Sequence, residues 1–157
     1  MKLYIKQKAF SIGDKFFVYD ENGIERYLVE EELLFFGKKL CIYTPDGEEL
    51  ANVEKTSFFS RYAVSKGDEQ VAEIVKEFTF FTPACYTVNG PDWTVEGEFF
   101  CHDYTVSDRE GDIVASVSKE WFTFGDAYEI DIREDADELT ALAVVLVIDI
   151  CIDASRN

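Results

Sequence analysis

The stretch LTALAVVLVIDICI, Leu139 to Ile152, limits what this chain can fold into more than any other feature. Of its fourteen residues only Thr140 and Asp149 are plainly polar. A helix made from it is apolar on every side and must be enclosed, by protein or by lipid. At 1.5 Å per residue it would be about 21 Å long, against the ~30 Å hydrocarbon core of a bilayer. Asp149 interrupts it, Asp153 follows one turn later, and Arg156 is the one basic residue of the downstream flank. Length and flanks therefore predict a core helix and no transmembrane span. Asp135 and Glu138 have the spacing of a capping box, and acids in a first turn suit the helix dipole, so the helix is predicted over about 136–153.

The remainder of the chain has to supply the enclosure, and it alternates apolar and polar residues at the period of strands with one covered face. In DIVASVSKEWF, Ile113, Ala115, Val117, Lys119 and Trp121 share a side; in AYEIDIR, Tyr128, Ile130 and Ile132 oppose Glu129, Asp131 and Arg133. Turn signals punctuate these runs: DENG at 20–23, FGKK at 36–39, TPDG at 44–47, VNGP at 88–91 and DREG at 108–111. Short strands joined by tight turns predict an antiparallel barrel or sandwich.

An internal repeat sharpens the expectation. KAFSIGDKFFVYD (8–20) resembles KEWFTFGDAYEID (119–131), and KTSFFSRYAV (55–64) and KEFTFFTPACYTV (76–88) are looser copies. Lys55, Lys76 and Lys119 end the pattern Ala-x-Val/Ile-x-Lys, in ANVEK, AEIVK and ASVSK. The spacing suggests a half-unit written twice, about 2–66 and 70–133, within one domain spanning 1–157. The apolar helix occurs once, after both halves, where it can fill the tube that they form.

Composition narrows the function. With 32 acids against 15 bases the formal charge is -17, which argues against nucleic acid as a partner. The segment MKLYIKQKAF alternates before any apolar run develops, unlike a secretory signal, so a cytoplasmic location is expected. Cys41, Cys85, Cys101 and Cys151 are widely spaced, with no C-x-x-C pair. They are read as reduced, mostly packed thiols.

Strands in two related halves followed by a hydrophobic C-terminal helix resemble the tubby-like superfamily, and within it the LURP-one-related (also written LURF-one-related) proteins. The resemblance covers essentially the whole chain and rests on MKLYIKQKAFSIGDKFFVYDENG, VAEIVKEFTFF, DWTVEGEFF, SKEWFTFGDAYEIDI and ELTALAVVLVIDICID. Bacterial members of the YxjI type are similar in all of these stretches. The resemblance implies a mainly β fold, a closed antiparallel tubby-like β-barrel around a central C-terminal helix. The related phospholipid scramblases place an FG and an acidic alternating stretch before a helix with an Ile-Asp pair, as Phe124-Gly125 and Ile148-Asp149 do here. The family carries no catalytic motif. Tubby proteins bind phosphoinositides and scramblases act on lipids, but the basic residues of the phosphoinositide site have no matching positions in this chain.

Individual residues add little chemistry. His102 in CHDY sits between Cys101 and Asp103, but consecutive strand residues face opposite ways, so Cys101 and His102 are not expected to activate one another. The acid run Glu129 to Glu138 lacks the glycine and ligand spacing of a calcium loop and reads as strand face and helix cap. Asp149 is expected at a barrel mouth or in a hydrogen-bonded structural site, because an ionised carboxylate is costly in an enclosed helix. For a phospholipid headgroup, the candidates are Lys2, Lys6 and Lys8, which share a face of the first strand with Tyr4 while Leu3 and Ile5 take the other. The expectation is a binding or scaffold protein without catalytic residues, metal or cofactor, its partner a protein or a phospholipid headgroup.

Overall fold

The period-two alternation forms a barrel in a computed structural model that describes residues 1–6, 15–34, 37–57, 60–77, 85–122 and 125–156. Twelve described strands run in order: β1 (Lys2–Lys6), β2 (Lys15–Asp20), β3 (Glu25–Leu34), β4 (Gly37–Tyr43), β5 (Glu49–Ser57), β6 (Arg61–Lys66), β7 (Glu69–Glu77), β8 (Cys85–Asn89), β9 (Trp93–Glu98), β10 (Asp103–Ser107), β11 (Ile113–Phe122) and β12 (Gly125–Ile132). Each pairs antiparallel with its neighbours in the chain, and β1 closes the circle on β12, from Lys2 opposite Asp131 to Lys6 opposite Ala127. Closure leaves no sheet edge exposed. Of the two stretches read from the sequence, 2–66 contains β1–β6, and 70–133 contains β8–β12 and all of β7 but its first residue, Glu69.

The turns at one end of the barrel are built from side chains that stand in for backbone. Asp20 Oδ1 accepts from the amides of Asn22 and Ile24, each at 2.9 Å. Asp108 Oδ1 accepts likewise from Glu110 and Asp112, at 3.1 and 2.9 Å. Thr44 Oγ1 accepts from Glu48 at 3.0 Å. Gly23, Gly47 and Gly111 take the positive φ that closes these loops, at 74°, 98° and 90°. FGKK is placed differently from expectation: Gly37, Lys38 and Lys39 already lie in β4, and Phe36 is outside the described residues. Parts of the repeat copies, including Lys8 and Phe124, also lie outside them.

Alternation fails at one informative place. A register shift between Val106 and Ser107 puts Ile113 opposite Ser107, so Ile113 is 58% exposed while Val114 and Ala115 are both buried. A bulge breaks the two-residue period locally.

The helix α1 (Glu138–Arg156) runs 19 residues and occupies the bore. Ala141 to Ile148 are all 0% exposed, as a helix apolar on all sides requires. Ala51, Ala72 and Ala115, the first residues of the Ala-x-Val/Ile-x-Lys repeats, are buried on the wall. Their small side chains leave radial room for the helix, and Val53, Ile74 and Val117 fill the next layer. Among the described residues no helix is long and apolar enough to cross a membrane.

The cap differs from the expected capping box. Asp137 is the residue before the helix: Thr140 Oγ1 donates to its carboxylate, and the Ala141 amide donates to its carbonyl at 3.0 Å. Asp135 is bonded by Arg133 Nε, and Glu138 receives both Arg26 Nε at 2.9 Å and Arg26 Nη2 at 3.1 Å. Asp135 with Glu138 has the capping-box spacing, whereas Asp137 is followed three residues on by Thr140. Arg133 decides between them by engaging Asp135, while the turn closed by Ala136 N on Arg133 O delays the helix.

Candidate functional site: a buried carboxyl at the exit end of the bore

The even-numbered strands share a local pattern, x-Φ-x-Val/Ile, in KFFV (15–18), KLCI (39–42), RYAV (61–64), CYTV (85–88), DYTV (103–106) and AYEI (127–130). The fourth residues, Val18 to Ile130, are all buried, and so are the second residues except the half-buried Phe16. Four of those second residues are Tyr62, Tyr86, Tyr104 and Tyr128. Alternation points them inward, where they surround the last turns of α1 at the end from which the helix leaves.

Asp149 stands among them, 5% exposed. Tyr128 Oη donates to its Oδ2, whereas Oδ1 has no hydrogen-bond partner. The Tyr104 hydroxyl is also buried and without one. Burial, helped by the negative charge of Asp153, pushes the Asp149 carboxyl up to about 7, with the Tyr128 bond opposing the rise. The Tyr104 and Tyr128 hydroxyls are held well above their ordinary value, first by burial and then by the Asp149 charge. About half a turn further, Tyr62 Oη and Cys151 Sγ lie 3.6 Å apart, and burial, followed by the nearby Cys151, holds the Tyr86 hydroxyl above its ordinary value. Phe99 packs edge-on against Tyr86 at 5.0 Å and tilted against Tyr104 at 5.2 Å between ring centroids.

His102 belongs to this shell. A strand was expected for CHDY, but Phe99–Cys101 form a 3-10 turn, and His102 caps it at φ 50°, ψ 49° in the left-handed region. The turn exposes Cys101 and buries His102. Its ring stacks on Tyr128, 4.4 Å between centroids and 6° between planes. The only histidine thus supports, from outside the strand pattern, the tyrosine that bonds Asp149.

Gly97 lets the shell close. It is paired with Tyr104 at φ 143°, and a Cβ there would fall 2.6 Å from Tyr104 Cα and 2.7 Å from Tyr104 Cβ. In the same layer the register sets Lys55 opposite Tyr62, Lys76 opposite Tyr86 and Lys119 opposite Tyr128. These lysines continue the inward rows of Ala51–Val53, Ala72–Ile74 and Ala115–Val117 to the barrel's rim. The motif that ends in each of them was visible in the sequence; that the three share one rim was not.

The expected headgroup face is placed as follows. Leu3 and Ile5 are buried, and Lys2, Tyr4 and Lys6 face outward. Lys2 Nζ is 3.0 Å from Glu129 Oε1, which also accepts from Tyr4 Oη at 2.9 Å. Lys6 lies 5.0 Å over the Tyr19 ring. Lys8 is outside the described residues. The acid run from Glu129 is dispersed over separate partners: Lys2 takes Glu129, Arg133 takes Asp135, Lys66 takes Asp137 at 2.8 Å and Arg26 takes Glu138. Among the described residues no three His, Cys, Asp or Glu side chains are grouped to hold a metal ion.

Comparison with known proteins agrees with this architecture. A solved X-ray structure of an Arabidopsis thaliana protein superimposes with a TM-score of 0.68 over 97% of this chain and 90% of that one, at 15% identity. A Bacillus subtilis (strain 168) protein, the uncharacterised YxjI, is 32% identical over 151 residues, 95% of this chain and 92% of that protein. The family model described as LURP-one-related matches residues 1–149, all twelve described strands and most of the helix. The chain belongs to the LURP-one-related family.

Proposed function

We propose that the protein is a non-enzymatic, intracellular binding or scaffold module that meets its partner through the outside and rims of the barrel. The observation that carries this reading is the filled bore. Residues 141–148 of α1 are fully enclosed, so the volume in which barrels of this kind hold a small ligand is taken up by the chain's own helix. The free thiols Cys41, Cys85, Cys101 and Cys151 support a reducing compartment. The test is proximity labelling with the intact chain, followed by reconstitution of the recovered partner with purified protein. A stoichiometric complex, with no turnover by the purified chain on ester, phosphoester and glycoside panels, is the expected result. Turnover that survives purification and metal removal and is lost in a bore variant overturns it.

A second reading, peripheral binding of anionic phospholipid, is favoured by one observation: the register brings Lys55, Lys76 and Lys119 to a single rim, remote from the acidic turns at the other end. Cations gathered on one surface attract anionic headgroups even on an acidic protein. Flotation with mixed phosphatidylcholine and phosphatidylserine vesicles separates the readings. Retention that salt abolishes, and that Lys55→Glu weakens, supports the lipid reading; equal recovery with neutral vesicles goes against it.

A further inference from the structure

We propose that the Asp149 carboxyl is a proton-operated latch on the exit end of the bore. With its proton bound, the last turns of α1 stay packed among the tyrosines; when the proton leaves, that end of the helix disengages and water enters.

The argument starts from partners. A carboxylate can accept at four lone-pair sites and loses far more on burial than the neutral acid. Among the described residues Asp149 bonds only to Tyr128, and its Oδ1 is left without a partner. That supply suits a neutral acid and fails an ion. The groups facing it confirm the imbalance. On α1 itself Asp153, one turn on, repels a second negative charge, and the Cys151 thiol lies against the Tyr62 hydroxyl. From β12, β10, β8 and β6 come Tyr128, Tyr104, Tyr86 and Tyr62, all neutral hydroxyls with raised pKa values. The 3-10 turn contributes His102, stacked face to face on Tyr128. From β3, β5, β7 and β11 the same layer receives Glu31, Lys55, Lys76 and Lys119. None of these forms an ion pair with Asp149.

The second observation is uneven anchorage. The entry end of α1 is clamped from two sides of the barrel, by Arg26 on Glu138 and Lys66 on Asp137 at 2.8 Å. At the exit end Asp149 is followed by the half-buried Asp153 and the exposed Ala154 and Ser155. An opening that exposes Asp149 therefore releases a short segment, Asp149 to Ser155, that is buried at Cys151 and Ile152 and exposed only at its far end, while the clamped end holds. An exposed Asp149 regains its ordinary affinity for the proton, so the open state gains on the closed one as pH rises from the ordinary carboxyl range toward neutrality. Beyond neutrality the gain levels off, because both states are then ionised.

Hydrogen exchange of the full chain, corrected for the intrinsic rate, tests this. Amides of residues 148–153 are expected to lose protection by up to about tenfold per pH unit between about pH 5 and 7, and no further above that. Residues 139–145 keep theirs. Asp149→Asn makes the segment's protection independent of pH, and His102→Gln leaves the response in place. Infrared spectroscopy of the wild type supplies a reading that needs no variant. A buried protonated-carboxyl band fades over the same pH range as protection. Flat protection in the wild type, a response retained by Asp149→Asn or lost in His102→Gln, or a band absent at about pH 5, each overturns the proposal.

Discussion

Tyr128 in the last strand of the wall donates its phenolic proton to Asp149 on the helix that the wall encloses. The bond ties the two parts of the fold together at the layer where the strands' inward residues change from aliphatic to phenolic. It also opposes the rise that burial imposes on the carboxyl.

Tyr128→Phe tests that bond. The ring and its stack on His102 survive, but Asp149 loses its donor, so the carboxyl is expected to titrate higher than in the wild type. Leaving a buried acceptor unsatisfied costs about 1–3 kcal/mol. Carbon-13 chemical shifts of Asp149 against pH, and denaturant unfolding near neutral pH, report the two effects.

Stability should fall as pH rises toward neutrality. The folded protein holds the Asp149 proton up to about 7, above the 3.8 of an ordinary aspartate side chain. The contribution of this group is therefore whole below about pH 4, declines between about pH 4 and 7, and is constant above. The span amounts to about 4 kcal/mol from this one group. Asp149→Asn should gain on the wild type at about pH 8 and lose that advantage at about pH 4.5, measured by urea midpoints. Asp137 acts in the opposite sense. Although burial alone would raise it, Lys66 and Thr140 hold it below its ordinary value, so its contribution is present above that value and disappears as pH falls through the lowered one.

Gly97→Ala should be far worse than Gly47→Ala. The first puts a methyl 2.6 Å from the Asp103 carbonyl oxygen and from Tyr104 Cα; the second meets nothing within 4 Å. Gly47→Ala carries only the strain of a positive φ, about 1–2 kcal/mol. Gly97→Ala must in addition separate β9 from β10, for a total of about 4 kcal/mol or more. Melting temperatures rank the two, and hydrogen exchange should place the Gly97→Ala damage in β9 and β10.

The corrected helix cap gives a further comparison. Asp137→Ala removes the acceptor for Thr140 and the partner of Lys66 and is expected to cost about 0.5–2 kcal/mol. Asp135→Ala removes only a contact with Arg133 in an exposed turn and should cost under about 1 kcal/mol. Reversal of that order would restore Asp135 as the cap.

Much of this architecture was legible before any coordinates. Val144 and its neighbours are apolar on every side, which demands an enclosure, and the two-residue period of Tyr128, Ile130 and Ile132 supplies the wall. The candidate site was less legible because its parts are non-local. Tyr62, Tyr86, Tyr104 and Tyr128 occur on four strands at unequal spacings and become one layer only through register; the x-Φ-x-Val/Ile pattern was the available signal. His102 takes a left-handed backbone that no alternation rule anticipates. Lys2 is matched by Glu129, a partner brought beside it only when β1 closes on β12. Ile113 faces outward because the bulge opposite it shifts the phase.

The enclosure of α1 by the strands is the claim on which the rest stands. Thiol labelling of a Val145→Cys variant with a water-soluble maleimide measures it, with the exposed Cys101 as an internal standard. Val145 is 0% exposed, so position 145 should stay unlabelled while Cys101 reacts, and should become reactive only at denaturant concentrations that unfold the whole barrel. Labelling of position 145 at the Cys101 rate in native buffer would contradict the account.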